Sequence, residues 1–225
     1  MARADNQAFE KLRKAAKQSL VRIQKVMTAQ IDDNFIWKDQ SYSVSGISEG
    51  SLFDISLLDL NPQGSCTACY RGYQAEFGVV DSKLALRNLH CNLYQEGDGY
   101  VREIGPAING IPPKGPDEEK EYDWFNNHYE GIDYYLEYSG GILAADGFID
   151  ELYVHMGFHP AWKYKTVFEF VFENGILQSK NDRSEKVAEI RDFVAQQRQE
   201  HSGRKPDDEE LRTFIVGSFD RSYET

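Results

Sequence analysis

The first 29 residues have the hydrophobic spacing of a helix. Apolar side chains recur at intervals of three or four residues, lysines and arginines lie between them, and no proline or glycine interrupts the run. The apolar stripe consists of Phe9, Leu12, Ala16, Leu20, Ile23 and Met27. The pattern predicts a basic amphipathic helix over residues 6–29, which either packs on the acidic remainder of the chain or lies on an anionic membrane.

After this helix the spacing changes to the alternation that is typical of β-strands. Three stretches with polar turns near their centres predict hairpins over residues 34–46, 70–94 and 166–179. Their turns are "KDQ", "VDSK" and the pair Asn174-Gly175. The last pair is a strong hairpin signal because both residues tolerate a positive φ.

The second and third predicted hairpins align without a gap at an offset of 93 residues. Glu76 then matches Glu169, and Phe77 matches Phe170. The two segments are either copies of one β-unit or unrelated hairpins that share an alternation and a turn.

Two further segments lie between and beside the hairpins. Residues 103–122 are rich in proline and glycine, which predicts a long surface loop or an ordered loop near a site. Residues 122–141 are rich in aromatic side chains and fit a helix or a strand equally well.

The C-terminal part of the chain returns to helical spacing. Residues 182–200 predict a helix capped by Asp182 or Ser184, and a last helix is predicted from Pro206. The apolar stripes are Val187, Ile190 and Val194 in the first helix, and Leu211, Phe214, Ile215 and Phe219 in the second.

These elements predict an α+β fold. We expect a mostly antiparallel β-sheet or partly open barrel, flanked by an N-terminal helix and two C-terminal helices. The expected organisation is a basic amphipathic helix over residues 1–29, a β-rich core domain over residues 30–181, and a C-terminal helical segment over residues 182–225. That last segment packs on the core or on a partner, and the helices cover sheet edges or supply a dimer contact.

The charge is distributed unevenly along the chain. The net charge is −12, but residues 1–29 hold seven basic residues against two acidic ones, so residues 30–225 carry −17. This acidic balance argues against nucleic-acid binding, which depends on cationic neutralisation of phosphates. It favours attraction to a basic protein.

The sequence also indicates a compartment. No stretch of about 18 residues is continuously apolar, and the N-terminal residues lack the apolar core of a signal peptide, so no transmembrane segment is expected. Three cysteines do not make a disulfide framework, and an odd number fits a reducing environment. We therefore expect a cytoplasmic protein.

Several short blocks resemble an uncharacterised bacterial protein family. The resemblance rests on an RGY block in "ACYRGY" (68–73), a Gly-Gly block in "YSGGIL" (138–143) and a YVHMGFHPAWKY block in "FIDELYVHMGFHPAWKYK" (148–165). It covers about residues 28–185. Because no activity is assigned to that family, the resemblance implies no mechanism and no site residue.

The block "ELYVHMGFHPAWKYK" holds the densest set of reactive side chains. Glu151, His155 and His159 are spaced by four, which on one helix would form a metal triad on one face. Gly157 and Pro160 oppose a helix, so we interpret the block as a strand that enters a turn at the rim of the sheet. Its histidines then either satisfy local hydrogen bonds or act in a binding site.

The cysteines raise a second metal hypothesis. Cys66 and Cys69 have the spacing of a zinc knuckle, and His90 and Cys91 would complete a Cys3His set. Adjacent residues on a strand point to opposite faces, however, and cysteines are common in ordinary cores. We therefore predict no metal and no other cofactor, and metal binding by the cysteine set or by His155 and His159 is the alternative.

Arg71 stands between tyrosines and before Gly72. It either holds the carboxylate or phosphate of a ligand or forms an ion pair with an acid of the chain itself. A dense aromatic set lies further along and either recognises a partner or fills the core. It comprises Tyr122, Trp124, Phe125, Tyr129, Tyr134, Tyr135 and Tyr138, together with Trp162 and Tyr164.

Two functions fit these observations, and no phosphate loop, dinucleotide fingerprint, HExxH or GxSxG motif is present. The first is a non-enzymatic cytoplasmic binding protein, such as an acidic inhibitor of the immunity type that binds a basic protein. The second is an enzyme or small-ligand-binding module whose pocket takes an anionic substrate, with a histidine as general base. The candidate binding residues are Arg71, Tyr73, His155, His159, Trp162, Lys163 and Tyr164. A homo-oligomer formed through the terminal helices is a further expectation.

Overall fold

The computed structural model describes residues 29–64, 66–97, 101–119, 123–155 and 157–200, without the side chains of residues 197–200, and also Tyr223. Within these residues the chain forms one eight-stranded sheet and one α-helix. The strands are β1 (Asn34–Trp37), β2 (Gln40–Ile47), β3 (Tyr73–Val80), β4 (Lys83–Cys91), β5 (Asn127–Tyr135), β6 (Gly140–Phe148), β7 (Tyr164–Glu173) and β8 (Ile176–Asp182). The helix is α1 (Ser184–Glu200), and short 3₁₀ turns lie at Ile55–Leu58, Asp150–Leu152 and Ala161–Lys163.

The sheet closes on itself. Its strand order is β3-β1-β2-β6-β7-β8-β4-β5, and β3 also pairs with β4, so that β5 is attached beside a ring of seven strands. The sheet is mixed. Strands β1 and β3 run parallel, with Phe35 opposite Phe77. Every other strand pair in the described sheet is antiparallel. Phe35 also contacts Phe170 across the interior, with ring centroids 4.5 Å apart.

The predicted α+β class is therefore wrong. The described part of the chain is mostly β-sheet with a single helix, and it does not show an N-terminal helix and two C-terminal helices around a sheet. The physical reason is that a closed sheet buries its inner face against itself and needs no helix there. The predicted helix from Pro206 lies outside the described residues, as does the predicted N-terminal helix apart from Ala29.

The three predicted hairpins are confirmed. The pairs β1–β2, β3–β4 and β7–β8 are antiparallel, and two residues with positive φ join the strands of each pair, as tight hairpin turns with the twist of the flanking strands require. The turn residues are Lys38-Asp39, Asp81-Ser82 and Asn174-Gly175. Local turn chemistry was therefore a reliable guide to these strands.

The two hairpins of the 93-residue repeat meet in a symmetric way. The Leu84 N–H donates to the carbonyl of Gly175 at 2.7 Å, and the Leu177 N–H donates to the carbonyl of Ser82 at 2.9 Å. Leu84 matches Leu177 in the repeat, and Ser82 matches Gly175. This local two-fold symmetry is that of any antiparallel bridge, here between Lys83 and Ile176, so the duplication stays a hypothesis.

Alternation along β6 separates two hydrophobic clusters. Ile142 and Ala144 face the interior of the closed sheet, whereas Leu143 and Ala145 face outward and pack under α1. Val187 of α1, which is 5 % exposed, covers this outer face. The helix is needed where the sheet has an apolar outer face.

The helix α1 confirms the prediction for residues 182–200. Asp182 Oδ1 accepts a hydrogen bond from the Ser184 N–H at 2.9 Å, which satisfies one of the free donors at the helix start. The predicted apolar stripe is only partly buried, because Ile190 is 40 % exposed whereas Val187 is buried.

Candidate functional site

The segment before β1, residues 29–33, connects two loops. The Ile31 N–H donates to the carbonyl of Ala68 at 2.7 Å, in the loop before β3. The Gln30 N–H donates to the carbonyl of Gly157 at 2.8 Å, in the loop before β7. The two blocks of sequence that held most of the candidate residues are therefore attached to one short segment.

Arg71 is paired with Asp33 of this segment. Its Nη1 donates to Asp33 Oδ2 at 2.7 Å and its Nη2 donates to Asp33 Oδ1 at 2.6 Å. Asp33 Oδ1 also accepts from the Ala75 N–H at 2.7 Å. The side chains of Arg71 and Asp33 are 24 % and 14 % exposed. The ion-pair interpretation of Arg71 is thus confirmed, and its bidentate face is not open to a ligand anion.

Two aromatic rings enclose the Arg71 guanidinium. Its Cζ lies 4.5 Å from the ring centroid of Tyr73 and 5.3 Å from that of Phe158. Its Nε is buried and forms no hydrogen bond with any described residue. Burial raises the pKa of the Tyr73 phenol, and the positive charge of Arg71 opposes that rise. The phenol therefore stays protonated at neutral pH.

A pocket of about 380 Å³ opens beside the ion pair. Its lining is aromatic and aliphatic apart from a few polar groups, and it consists of Asp33, Ile47, Gly50, Ser51, Leu52, Phe53, Arg71, Tyr73, Phe77 and Phe158. Phe53 packs edge-on against Tyr73 and Phe77, with ring centroids 6.3 and 6.4 Å apart. The volume lies within the range of small-molecule sites.

Gly72, which follows Arg71, lies where the chain passes close to Gln63. Its φ is +72°, and a Cβ there would lie 2.4 Å from the carbonyl carbon and oxygen of Gln63. A side chain at this position would meet backbone that has little room to move. The central glycine of the RGY block is therefore required by the close approach of two chain segments.

The strand predicted within "ELYVHMGFHPAWKYK" is wrong. Two 3₁₀ turns, Asp150–Leu152 and Ala161–Lys163, occupy much of the block, and β7 begins only at Tyr164. Gly157 has a φ of +69° and Pro160 is extended, so this loop continues neither a strand nor a helix. The helical spacing on which a metal triad of Glu151, His155 and His159 depended is absent as well.

His159 and Lys163 form a buried pair in this loop. They are 6 % and 0 % exposed, and Lys163 Nζ lies 3.2 Å from His159 Nδ1. Burial and the nearby charge of Lys163 lower the pKa of His159 to about 4. The imidazole is therefore neutral at pH 7, and its Nδ1 accepts a hydrogen bond from the ammonium. Its buried Nε2 has no hydrogen-bond partner among the described residues, and the ring of Phe148 lies 4.8 Å away.

The other candidates in the block have structural contacts. The His155 ring packs edge-on against Tyr153, with centroids 5.0 Å apart. Trp162 is half-buried against the cluster under α1, and its ring centroid is 5.4 Å from Lys163 Nζ. The Tyr164 hydroxyl donates to Asp32 Oδ2 at 3.1 Å.

The predicted binding residues thus fall into two groups. Arg71 and Tyr73 line the pocket, whereas the five candidates from His155 to Tyr164 lie in the loop before β7 and at its junction with that strand. Sequence reasoning missed the other eight lining residues, among them Asp33, Phe53 and Phe158. Of these residues, only Asp33 left a signal in the sequence. The pair Asp32-Asp33 stands directly before a predicted strand, where a carboxylate is a natural partner for an arginine.

The cysteines are free thiols. Cys91 is fully buried in the core, and burial raises the pKa of its thiol to about 12, while His90 projects from the opposite face of β4. The Cys69 N–H donates to the carbonyl of Cys66 across a turn at 3.2 Å. Among the described residues, no group of three or more His, Cys, Asp or Glu side chains is arranged to hold a metal ion.

The aromatic set divides between core and surface. Tyr129, Tyr138 and Phe125 are buried, whereas Trp124 and Tyr135 are 48 % and 49 % exposed. The core interpretation therefore holds for the buried rings, whereas recognition of a partner by the exposed rings stays a prediction; Tyr122 lies outside the described residues.

No protein-family model, curated protein or solved structure matches this chain. The resemblance to a bacterial family therefore stays a prediction. Within the described residues, no helix has both the length and the apolar character that a membrane span requires.

Proposed function

We propose that this protein binds a small, uncharged, ring-containing ligand in the pocket beside Arg71. One observation carries the proposal: the pocket of about 380 Å³ has aromatic walls, and its charged lining residues, Asp33 and Arg71, neutralise each other. A ligand site of this type gains affinity from apolar contact and uses a few polar groups to set orientation.

The aromatic rings favour a flat ligand. Phe53, Tyr73 and Phe158 line the pocket, and aromatic pairs in offset or edge-on geometry add about 0.5–1.5 kcal/mol each beyond area burial. Ser51 and Tyr73 are the lining residues that carry hydroxyls, and Ser51 would orient such a ligand by a hydrogen bond.

An anionic ligand fits less well than the sequence led us to expect. To use the bidentate face of Arg71 it would have to displace a carboxylate that already lies 2.6 and 2.7 Å from the guanidinium. Neither His155 nor His159 is among the residues that line the pocket. The proposal therefore assigns binding to this site and gives no histidine the role of a base.

The experiment compares neutral and anionic probes of the same shape. Indole, quinoline and 2-naphthol would be titrated into the labelled full-length chain beside indole-3-acetate, quinaldate and 2-naphthoate, and binding would be followed by two-dimensional NMR. We expect shifts at Phe53 and Tyr73 with the neutral probes and weaker shifts with the carboxylates.

Two variants locate the binding. Phe53→Leu should weaken the neutral probes, whereas Phe148→Leu, which removes a ring outside the pocket, should not. Shifts that map away from the pocket, or equal affinity in the Phe53 variant and the wild type, would refute the proposal. Tighter binding of the carboxylates would instead support the anionic substrate.

A second candidate function is binding to a basic protein. Residues 30–225 carry a net charge of −17, and Tyr70, which is 72 % exposed beside Arg71, offers an aromatic anchor. The test measures association with a panel of basic nucleases and toxins at low and at physiological ionic strength. A cognate partner should stay bound at physiological salt and lose affinity with Tyr70→Ser, whereas general charge attraction should vanish.

A cytoplasmic location is part of this proposal. All three cysteines are free thiols, which is the state that a reducing compartment maintains. Fractionation of the host cells with an antibody to the chain tests it, and recovery in an oxidising compartment would contradict it.

A further inference from the structure

A pair of histidines on the outer face of the sheet is arranged independently of the pocket. His90 of β4 and His128 of β5 lie directly opposite each other, and their Nδ1 atoms are 2.8 Å apart. His128 Nε2 lies 2.9 Å from Asp123 Oδ2 and 3.1 Å from the carbonyl oxygen of Phe125. The Phe125 ring also stacks on His90, with centroids 6.2 Å apart.

The contacts fix where the protons lie. His128 Nε2 faces two acceptors, so it carries a proton, and in the neutral ring its Nδ1 then holds a lone pair. His90 Nδ1 therefore donates the proton of the hydrogen bond between the rings. A single proton thus lies between two nitrogen lone pairs.

We propose that His90 and His128 form a binding site for a divalent first-row transition metal ion, which replaces the proton between the two Nδ1 atoms. The displaced proton moves to His90 Nε2, on a side chain that is only partly buried. Two neutral imidazoles then act as ligands with no net loss of protons.

The distance between the nitrogens indicates which ions fit. With metal–nitrogen bonds of about 2.0–2.1 Å, nitrogens 2.8 Å apart subtend roughly 85–90° at the ion. This is the cis angle of square-planar or tetragonal Cu²⁺ or Ni²⁺, whereas tetrahedral Zn²⁺ requires a separation of about 3.3 Å. The ring centroids are 5.0 Å apart, so the nitrogens face each other nearly head-on and both rings must turn to direct their lone pairs at one ion.

The surroundings support a cation here. Asp123 accepts the Nε2 proton of His128, as carboxylates do behind metal-binding histidines, and so keeps the Nδ1 of that ring on the side of His90. The negative charges of Glu76 and Glu130 act on His90 as well, and Lys114, which is paired with Glu130, partly offsets them. Since no third ligand converges within the described residues, water or an added ligand would complete the coordination.

The test titrates metal-free, full-length protein with CuCl₂, NiCl₂ and ZnCl₂ by calorimetry, in a Cys66→Ser, Cys69→Ser background that removes thiol ligands. We expect one Cu²⁺ or Ni²⁺ per chain, with weaker binding of Zn²⁺. His90→Gln and His128→Gln should each reduce Cu²⁺ affinity by at least about tenfold, since each removes one of two protein ligands. Asp123→Asn should reduce it by up to about tenfold, because it removes the charge behind His128. His155→Gln serves as the matched control and should bind as the parent does.

Electron paramagnetic resonance of the Cu²⁺-loaded parent protein tests the site without any variant at the pair. Superhyperfine coupling to two imidazole nitrogens is expected. Coupling to fewer nitrogens, or equal Cu²⁺ affinity in the parent and in folded His90→Gln and His128→Gln variants, would overturn the proposal.

Discussion

Replacing His159 with glutamine should reduce the acid sensitivity of folding. In the folded chain the imidazole is buried beside Lys163 and its pKa is lowered to about 4 from the ordinary value of 6.5. The folded state therefore binds this proton more weakly than the unfolded state does. The resulting contribution of His159 to the free energy of unfolding is fully present above pH 6.5 and is lost as the pH falls toward 4.

The size of the effect follows from the two pKa values. Each tenfold difference in proton affinity is worth about 1.4 kcal/mol, so the lowered pKa of His159 corresponds to roughly 3 kcal/mol in total. About 2 kcal/mol of this should be lost between pH 7 and pH 5. Glutamine retains an oxygen that accepts a hydrogen bond from Lys163 but does not titrate, so the variant should lack this loss.

Urea denaturation of the wild type and the variant at several pH values measures the difference directly. The free energy of unfolding of the wild type should fall more steeply with acid than that of His159→Gln, and the two curves should converge as the pH drops. His155→Gln removes an imidazole from the same loop and serves as the matched control. Parallel curves for the wild type and His159→Gln would refute the assignment of a buried, neutral imidazole.

Two further substitutions test the support of the pocket, each against a matched control, with urea denaturation as the measurement. Asp33→Asn should destabilise the fold by about 2 kcal/mol because it weakens a largely buried bidentate pair with Arg71. The control Asp133→Asn breaks the pair with Arg87, whose partners are both 37 % exposed, and should cost under about 1 kcal/mol. Equal losses would show that the pocket pair has no special role. Gly72→Ala should cost at least about 2 kcal/mol, since it combines a positive φ with a clash against the backbone of Gln63. The control Gly110→Ala also has a positive φ but open space around it, and should cost about 1 kcal/mol. A loss at Gly72 no larger than that at Gly110 would refute the close approach.

The parts of the fold that sequence predicted are those that local chemistry determines. The Asn174-Gly175 turn and the alternation around it specify a hairpin whatever surrounds them. The parallel contact of β1 with β3 joins residues about 40 positions apart, and the closure of β4 on β8 joins residues more than 90 positions apart. Such pairings depend on the register of the whole sheet, so no short window of sequence encodes them.

The candidate site was predicted less well, and its errors have physical causes. Arg71 was found because an arginine between aromatic residues is a plain chemical signal, but the sequence does not say which of the many carboxylates it meets. His90 was noted only beside Cys91, because its partner His128 lies on another strand. The histidine pair becomes visible only when the register between β4 and β5 is known.

The segment before β1 explains why the two groups of predicted residues occur together. Neighbouring residues of an extended chain point to opposite sides, so Asp33 reaches Arg71 while Asp32 accepts a hydrogen bond from Tyr164. One side of the segment therefore supports the pocket, and the other anchors the start of β7 beside the buried Lys163. The RGY and YVHMGFHPAWKY blocks belong together because both hold residues 29–33 in place. The first block contributes Arg71 and Tyr73 to the pocket, whereas the second contributes Phe158 alone.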